Sequence, residues 1–113
     1  DALTTAISSS ANATVITIDS SENVGIGVTS LEAWGSGASA LQLGSLTAIA
    51  DYSGVPYVAR NYYRNSGANH TYMTTAVGTR FYQGCVGNHI VQACPSGTAD
   101  TTITFTDALT LDN

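Results

Sequence analysis

The 113-residue chain contains no lysine, and its three arginines, Arg60, Arg64 and Arg80, are outnumbered by eight acidic residues, for a formal net charge of −5 at pH 7. Such a chain has no basic patch to neutralise a phosphate backbone, so nucleic acid is excluded as an expected partner. Charge of either sign is scarce, at 10 % of residues against roughly 25 % in ordinary soluble chains. Serine, threonine, asparagine and glycine do most of the solvating instead. Long hydrophobic runs are missing too. No stretch approaches the roughly 18–20 apolar residues of a membrane helix, and no basic segment followed by an apolar run marks a secretory leader after Asp1. A soluble chain without membrane insertion is expected, and with no initiator methionine either processing or excision from a longer polypeptide is expected. At this length one domain with a modest core is the limit.

The hydrophobic residues, 43 % of the chain, are spread in alternation of period two. Ile16 and Ile18 flank Thr17, Val24 to Val28 alternate with glycines, Leu41 and Leu43 flank Gln42, and Ile103 and Phe105 recur in "TTITFT". Turn-forming clusters separate these runs: "DSSEN", "GSGAS", "YSGVP", "NSGAN", "AVGT", "GCVGN" and "PSGTAD". The pattern predicts an all-β fold of short antiparallel strands, compact as a β-sandwich or prism-like module. One helical turn is expected in "TSLEAWG", with Thr29 and Glu32 as a capping box and Gly35 as its stop.

The stretch "IDSSENVGIGV" holds Gly25 and Gly27 at alternate positions. A phosphate-cradling loop would need a full helix immediately afterwards, and the sequence offers only that single turn. The pleat gives the better reading. Gly25 and Gly27 on one face of a strand leave it bare, so that another backbone can pack closely.

"ATVITIDSSENVGIGVTS", Trp34, "ALQLGS", "NYYRNSGANHTYMTTAVGTRFYQ" and "PSGTADTTITFTDALTLDN" together resemble a recurring glycine-strand module of tailed-bacteriophage tail-fibre proteins of marine-phage type. The likeness runs from Ala13 to Asn113 and is strongest in the last segment. It departs from the usual pattern at Glu22, where a turn glycine is common, at Val28 in place of threonine, and at the cysteine pair. The resemblance implies an intertwined homotrimer whose partners are copies of itself, adjacent fibre modules or other tail proteins, and a host surface glycan. It implies a virion location after assembly in the host cytoplasm. Residues 1–13 are expected to form an extended connector and residues 14–113 the β-rich fibre module.

Cys85 and Cys94 have spacing suited to a local disulfide, yet a two-residue turn at Gly87 and Asn88 would set Cys85 opposite Ile90 and Cys94 opposite Phe81, too far apart to bond without a bulge or a wider loop. Buried free thiols are the alternative, favoured by a reducing cytosol. The spacing is not C-x-x-C, and His70 and His89 do not form a His-x-His pair, so neither a metal nor a cofactor is expected. Asp19 reads as a turn former and Asp107 as a solvated residue between strands. No pair of carboxylates is singled out for glycoside hydrolysis, and no serine stands in a G-x-S-x-G elbow.

The segment "RNYYRNSGANHTYM" with "RFYQ" is the most distinctive candidate surface. Strand alternation would place Arg60, Tyr62 and Arg64 on one face, with Tyr57 and Tyr63 on the other; His70 with Tyr72, and Arg80 with Tyr82, repeat the pattern. Flat rings beside guanidinium donors suit a sugar face or an anion, although a tyrosine row also serves as ordinary packing at an interface. The expected function is therefore non-enzymatic: a structural or receptor-binding fibre segment in host attachment. A polysaccharide-degrading tailspike segment and a monomeric carbohydrate-binding module are the rivals. Product release from polysaccharide would favour the first, and a monomeric mass the second.

Overall fold

The computed structural model describes residues 16–84 and 87–112, and the expected connector 1–13 lies outside them. Ten strands follow in chain order: β1 (Ile16–Ile18), β2 (Val24–Ile26), β3 (Ala38–Leu43), β4 (Thr47–Tyr52), β5 (Val55–Arg60), β6 (Tyr63–Arg64), β7 (His70–Thr71), β8 (Ala76–Gln83), β9 (His89–Gly97) and β10 (Thr106–Leu111). Eight of them form one sheet in the order β1-β2-β3-β4-β5-β8-β9-β10, and β6 and β7 form a separate hairpin. The all-β expectation holds among the described residues. The purely antiparallel one does not, because β2 and β3 run parallel and the sheet is mixed.

The segment expected to be a helical turn supplies the crossover for that parallel pair. Glu32 N donates to Gln42 Oε1 at 3.0 Å, and Trp34 N donates to Glu32 O at 2.8 Å. These bonds draw the segment out along the sheet, and Trp34 bridges to Asn65 instead of capping a helix.

The alternation is real, but its polarity is unusual. In β4 and β5 the residues facing the covered side are Ala48, Ala50, Tyr57 and Ala59, while Ile49 and Val58 point to the open side. Small side chains on the sheet let large ones sit close above it. Trp34, Tyr62, Tyr63, Tyr72, Met73 and Ile103, all from segments outside the eight-stranded sheet, complete the core. The β6–β7 hairpin and the extended segment before β10 thus form the second layer. Residues 103–105 of "TTITFT" are not in a strand; Thr102 bridges to Thr71, and Ile103 is buried over the sheet.

Side chains fix the turns that set this arrangement. Asp19 Oδ1 accepts the Ser21 and Asn23 amides, and Asn23 Oδ1 then accepts Ala40 N at 2.9 Å, tying the first hairpin to β3. Asn61 is fully buried at φ 58°. Its Oδ1 accepts Thr74 N at 2.7 Å and its Nδ2 donates to Ala76 O at 2.8 Å. A left-handed residue at this point breaks the strand alternation between β5 and β6.

"AVGT", expected to be a turn, lies within β8 beside a register shift. A Cβ on Gly78 would come within 2.8 Å of Cys94 Sγ, so the glycine is required by packing. The β8–β9 turn is closed by Gly84 N donating to Asn88 O and Gly87 N donating to Gly84 O, with Gly87 at φ 86°. The pairing of Gly84 with Asn88 excludes the expected two-residue turn at Gly87 and Asn88. Gly25 and Gly27 do not share a strand face. Gly25 is buried beneath Val28 and Leu31 of its own chain, whereas Gly27 has left β2 at φ 71° with open space around it.

Candidate functional site

Strands β5 and β8 lie side by side with Tyr57 opposite Tyr82 and Ala59 opposite Arg80, so Tyr57, Arg80 and Tyr82 rise from adjacent strands on the covered face. Past Asn61 the chain folds back over them, bringing the Tyr62 ring within 5.0 Å of the Tyr57 ring. The β6–β7 hairpin adds Arg64 and His70, which are register partners, and the end of β4 adds Tyr52. These side chains, with Ser53 and Val55, line a cleft of about 350 Å³. Of the seven side chains expected at a receptor surface, it gathers Tyr62, Arg64, His70, Arg80 and Tyr82.

The other two lie elsewhere. Arg60 is on the opposite sheet face, where its Nη1 donates to Val77 O, because the Asn61 turn separates it from Tyr62 and Arg64. Tyr72 is core: its ring packs on Gly97, where a Cβ would collide with it, and its hydroxyl donates to Pro95 O at 2.8 Å. Tyr57 and Tyr52 belong to the cleft although the sequence pattern did not select them. The left-handed Asn61 puts Tyr57 and Tyr62 together, and no strand-period reading can anticipate it.

A chain of hydrogen bonds holds the cleft. Arg80 Nε donates to Gln92 Oε1 at 2.6 Å, and Gln92 Nε2 donates to Asp107 Oδ1 at 2.6 Å. Asp107 is therefore a strand residue anchoring β10, not a spacer between strands. Arg80 Nη1 donates to Tyr62 Oη at 3.2 Å, and that phenol pairs with His70 Nδ1 at 3.0 Å. One proton bridges Tyr62 Oη and His70 Nδ1, and the imidazole tautomer sets which of the two donates it. The Arg80 guanidinium also lies 4.5 Å from the Tyr82 ring centre, and that of Arg64 lies 4.3 Å from the Tyr52 ring centre.

Electrostatics follow from this packing. Burial, followed by the charges of Arg80 and Arg64, lowers the His70 pKa to about 4, so the ring is neutral at pH 7. Burial raises the Tyr57 phenol far above its ordinary range, and Tyr62 adds to the effect. Two polar atoms at the cleft, Tyr57 Oη and Arg64 Nε, are buried without a hydrogen-bond partner among the described residues. Chemically the arrangement offers cationic donors, a phenol and ring faces.

The opposite face of the sheet carries a second feature. Successive register pairs align Ile18, Val24, Leu41, Ile49, Val58, Phe81, Val91 and Leu109 in one row, one residue from each of the eight strands. Six of these side chains are exposed large hydrophobics, with Val58 at 50 % and Phe81 at 45 %. Isolated exposed aliphatics are ordinary, but from Ile49 through Val58, Phe81 and Val91 to Leu109 the exposed side chains follow one another across neighbouring strands.

Cys85 lies outside the described residues, and with it the choice between a Cys85–Cys94 disulfide and two free thiols. Cys94 faces Gly78 instead of Phe81 and is a buried thiol donating to Gly78 O at 3.4 Å. Among the described residues no group of three or more His, Cys, Asp and Glu could hold a metal ion, and no helix is long and apolar enough to cross a membrane. No family model, curated protein or solved structure matches the chain.

Proposed function

We propose that this chain is a self-associating segment of a tailed-phage attachment fibre, a homotrimeric virion protein that works by rigidity and binding rather than turnover. The observation that carries the reading is the apolar row spanning all eight strands. Removing the remaining exposed half of each of its six exposed side chains from water contributes on the order of 1 kcal/mol apiece. The row is uncharged, so three copies can turn the same face inward about a threefold axis and bury it in a shared core. The threefold number, the adjacent fibre modules or tail proteins as further partners, and the assembly in the host cytoplasm follow from the sequence resemblance. The cleft, on the face away from the row, would stay open in the assembly and serve as the receptor contact.

Sedimentation equilibrium on the purified chain tests the reading. The expected mass is three times the 11.6 kDa of one chain, and Val58→Lys should give folded monomers, because Val58 is half-exposed in the single chain. A wild-type protein that stays monomeric at high concentration overturns it and leaves the monomeric carbohydrate-binding module. The tailspike rival would need Glu32, whose pKa burial and then the nearby Asp100 charge hold above its ordinary value, to work with a second carboxylate across a sugar-binding groove. Sugar release from a polysaccharide that disappears in Glu32→Gln would select it.

A further inference from the structure

We infer that the Tyr57–Arg64–Arg80 cleft binds a carboxylate-bearing sugar of the uronic acid type. The inference goes beyond the assembly reading, since the cleft is complete within one chain. Its volume of about 350 Å³ falls in the small-ligand range of roughly 300–1,000 Å³. Two of the three cations in a chain of net charge −5 converge on it, which selects a negative ligand. The hydrogen bonds of Arg80 go to the neutral oxygens of Gln92 and Tyr62. The guanidinium is thereby oriented while its charge is left without a carboxylate in those bonds.

Tyr57 is only 4 % exposed, and its hydroxyl faces the Tyr62 phenol without coming within hydrogen-bond distance of it or of any other group among the described residues. An unmet buried hydroxyl costs about 1–3 kcal/mol, a cost that a ligand oxygen at this position would remove. Arg64 Nε is in the same condition. A planar carboxylate fits a guanidinium edge in bidentate fashion, and the Tyr52 and Tyr82 rings supply flat faces for the C–H side of a sugar. A compact phosphate would use the charge but leave the ring walls idle. His70 lines the same cleft as a neutral ring, so the positive charge there is that of Arg64 and Arg80.

The test is calorimetric titration of the full chain at low ionic strength with glucuronate, glucose, inorganic phosphate and a glucuronate oligomer. Glucuronate should bind, and glucose at least tenfold more weakly. A further gain with the oligomer would identify a polysaccharide as the source, and equal affinity per site a free sugar acid; both outcomes support the site. Arg64→Gln should weaken glucuronate binding by about tenfold or more. Tyr57→Phe should weaken it by about threefold to tenfold while raising the melting temperature of the free protein, because it removes the unmet hydroxyl. A group that served only the fold would not give that opposite pair of effects.

Bound glucuronate should also raise the His70 pKa from about 4, read from its ring proton shifts, by offsetting the charges of Arg64 and Arg80. Absence of glucuronate binding at about 10 mM, equal binding of glucose, or phosphate binding as tightly as glucuronate would each overturn the inference. Monomeric Val58→Lys should retain the site, so failure of the assembly reading and failure of this one are separable.

Discussion

Asn61 at φ 58° and Ala68 at φ 59° both occupy the left-handed region, yet only Asn61 uses its side chain there. Ala68 sits in the "NSGAN" turn, its amide donating to Asn65 O, and its Cβ contributes strain without a compensating contact. Ala68→Gly should therefore stabilise the chain by roughly 0.5–1 kcal/mol. Asn61→Gly suits the backbone equally well but leaves Thr74 N and Ala76 O without their side-chain partners. It should destabilise by about 2–4 kcal/mol; urea unfolding measures both. His70 gives a pH dependence of definite sign. Its folded pKa, about 4, lies below the ordinary 6.5, so the unfolded chain binds a proton across that window which the folded chain refuses. Stability should rise with pH from 4 to 6.5 and be lost as pH falls through the same range. In His70→Gln that part of the slope should vanish from a plot of melting temperature against pH.

At the scale of the element, strand β10 shows what the single chain leaves unfinished. All of Thr106–Leu111 is exposed, and among the described residues the strand pairs only with β9. In dilute protein its amides should exchange with solvent quickly. If β10 is covered by other copies they should slow severalfold at concentrations where the chain assembles, while β4 and β5 change little; hydrogen exchange with mass analysis reads this directly. The elements also show what the sequence conveys. Period two and the turn clusters around Asp19, Asn65 and Gly54 were legible, because turn chemistry and the pleat are local. The direction in which each face points was not. Alanines took the covered side of β3, β4 and β5 because tyrosines and Trp34 from distant segments had to fit above them. The parallel β2–β3 pair was hidden for a similar reason, since its crossover hangs on Gln42, ten residues from Glu32. The arginine and tyrosine cluster could be seen as a composition, but its membership depended on Asn61, whose backbone is set by Thr74 and Ala76.

At the scale of the whole molecule, the sheet is longer than a chain of this size needs. The Cα radius of gyration is 15.1 Å, against about 13 Å for a compact chain of comparable length. The extents of 47 × 29 × 24 Å describe a slab with one clothed side and one bare side. If the bare side is where copies meet, stability must depend on protein concentration. The melting temperature should then rise by several degrees over a hundredfold increase in concentration, and in Val58→Lys it should be flat. Scanning calorimetry across that range distinguishes the two.

The parallel joint between β2 and β3 has a consequence for biosynthesis. The β1–β2 hairpin leaves the ribosome before the strand it must lie against, and antiparallel neighbours β3, β4 and β5 can zip together through short turns as they emerge. The hairpin is seated only when Asn23 finds the amide of Ala40. Until β3 has emerged, the border of β2 that will pair with it stays unattached.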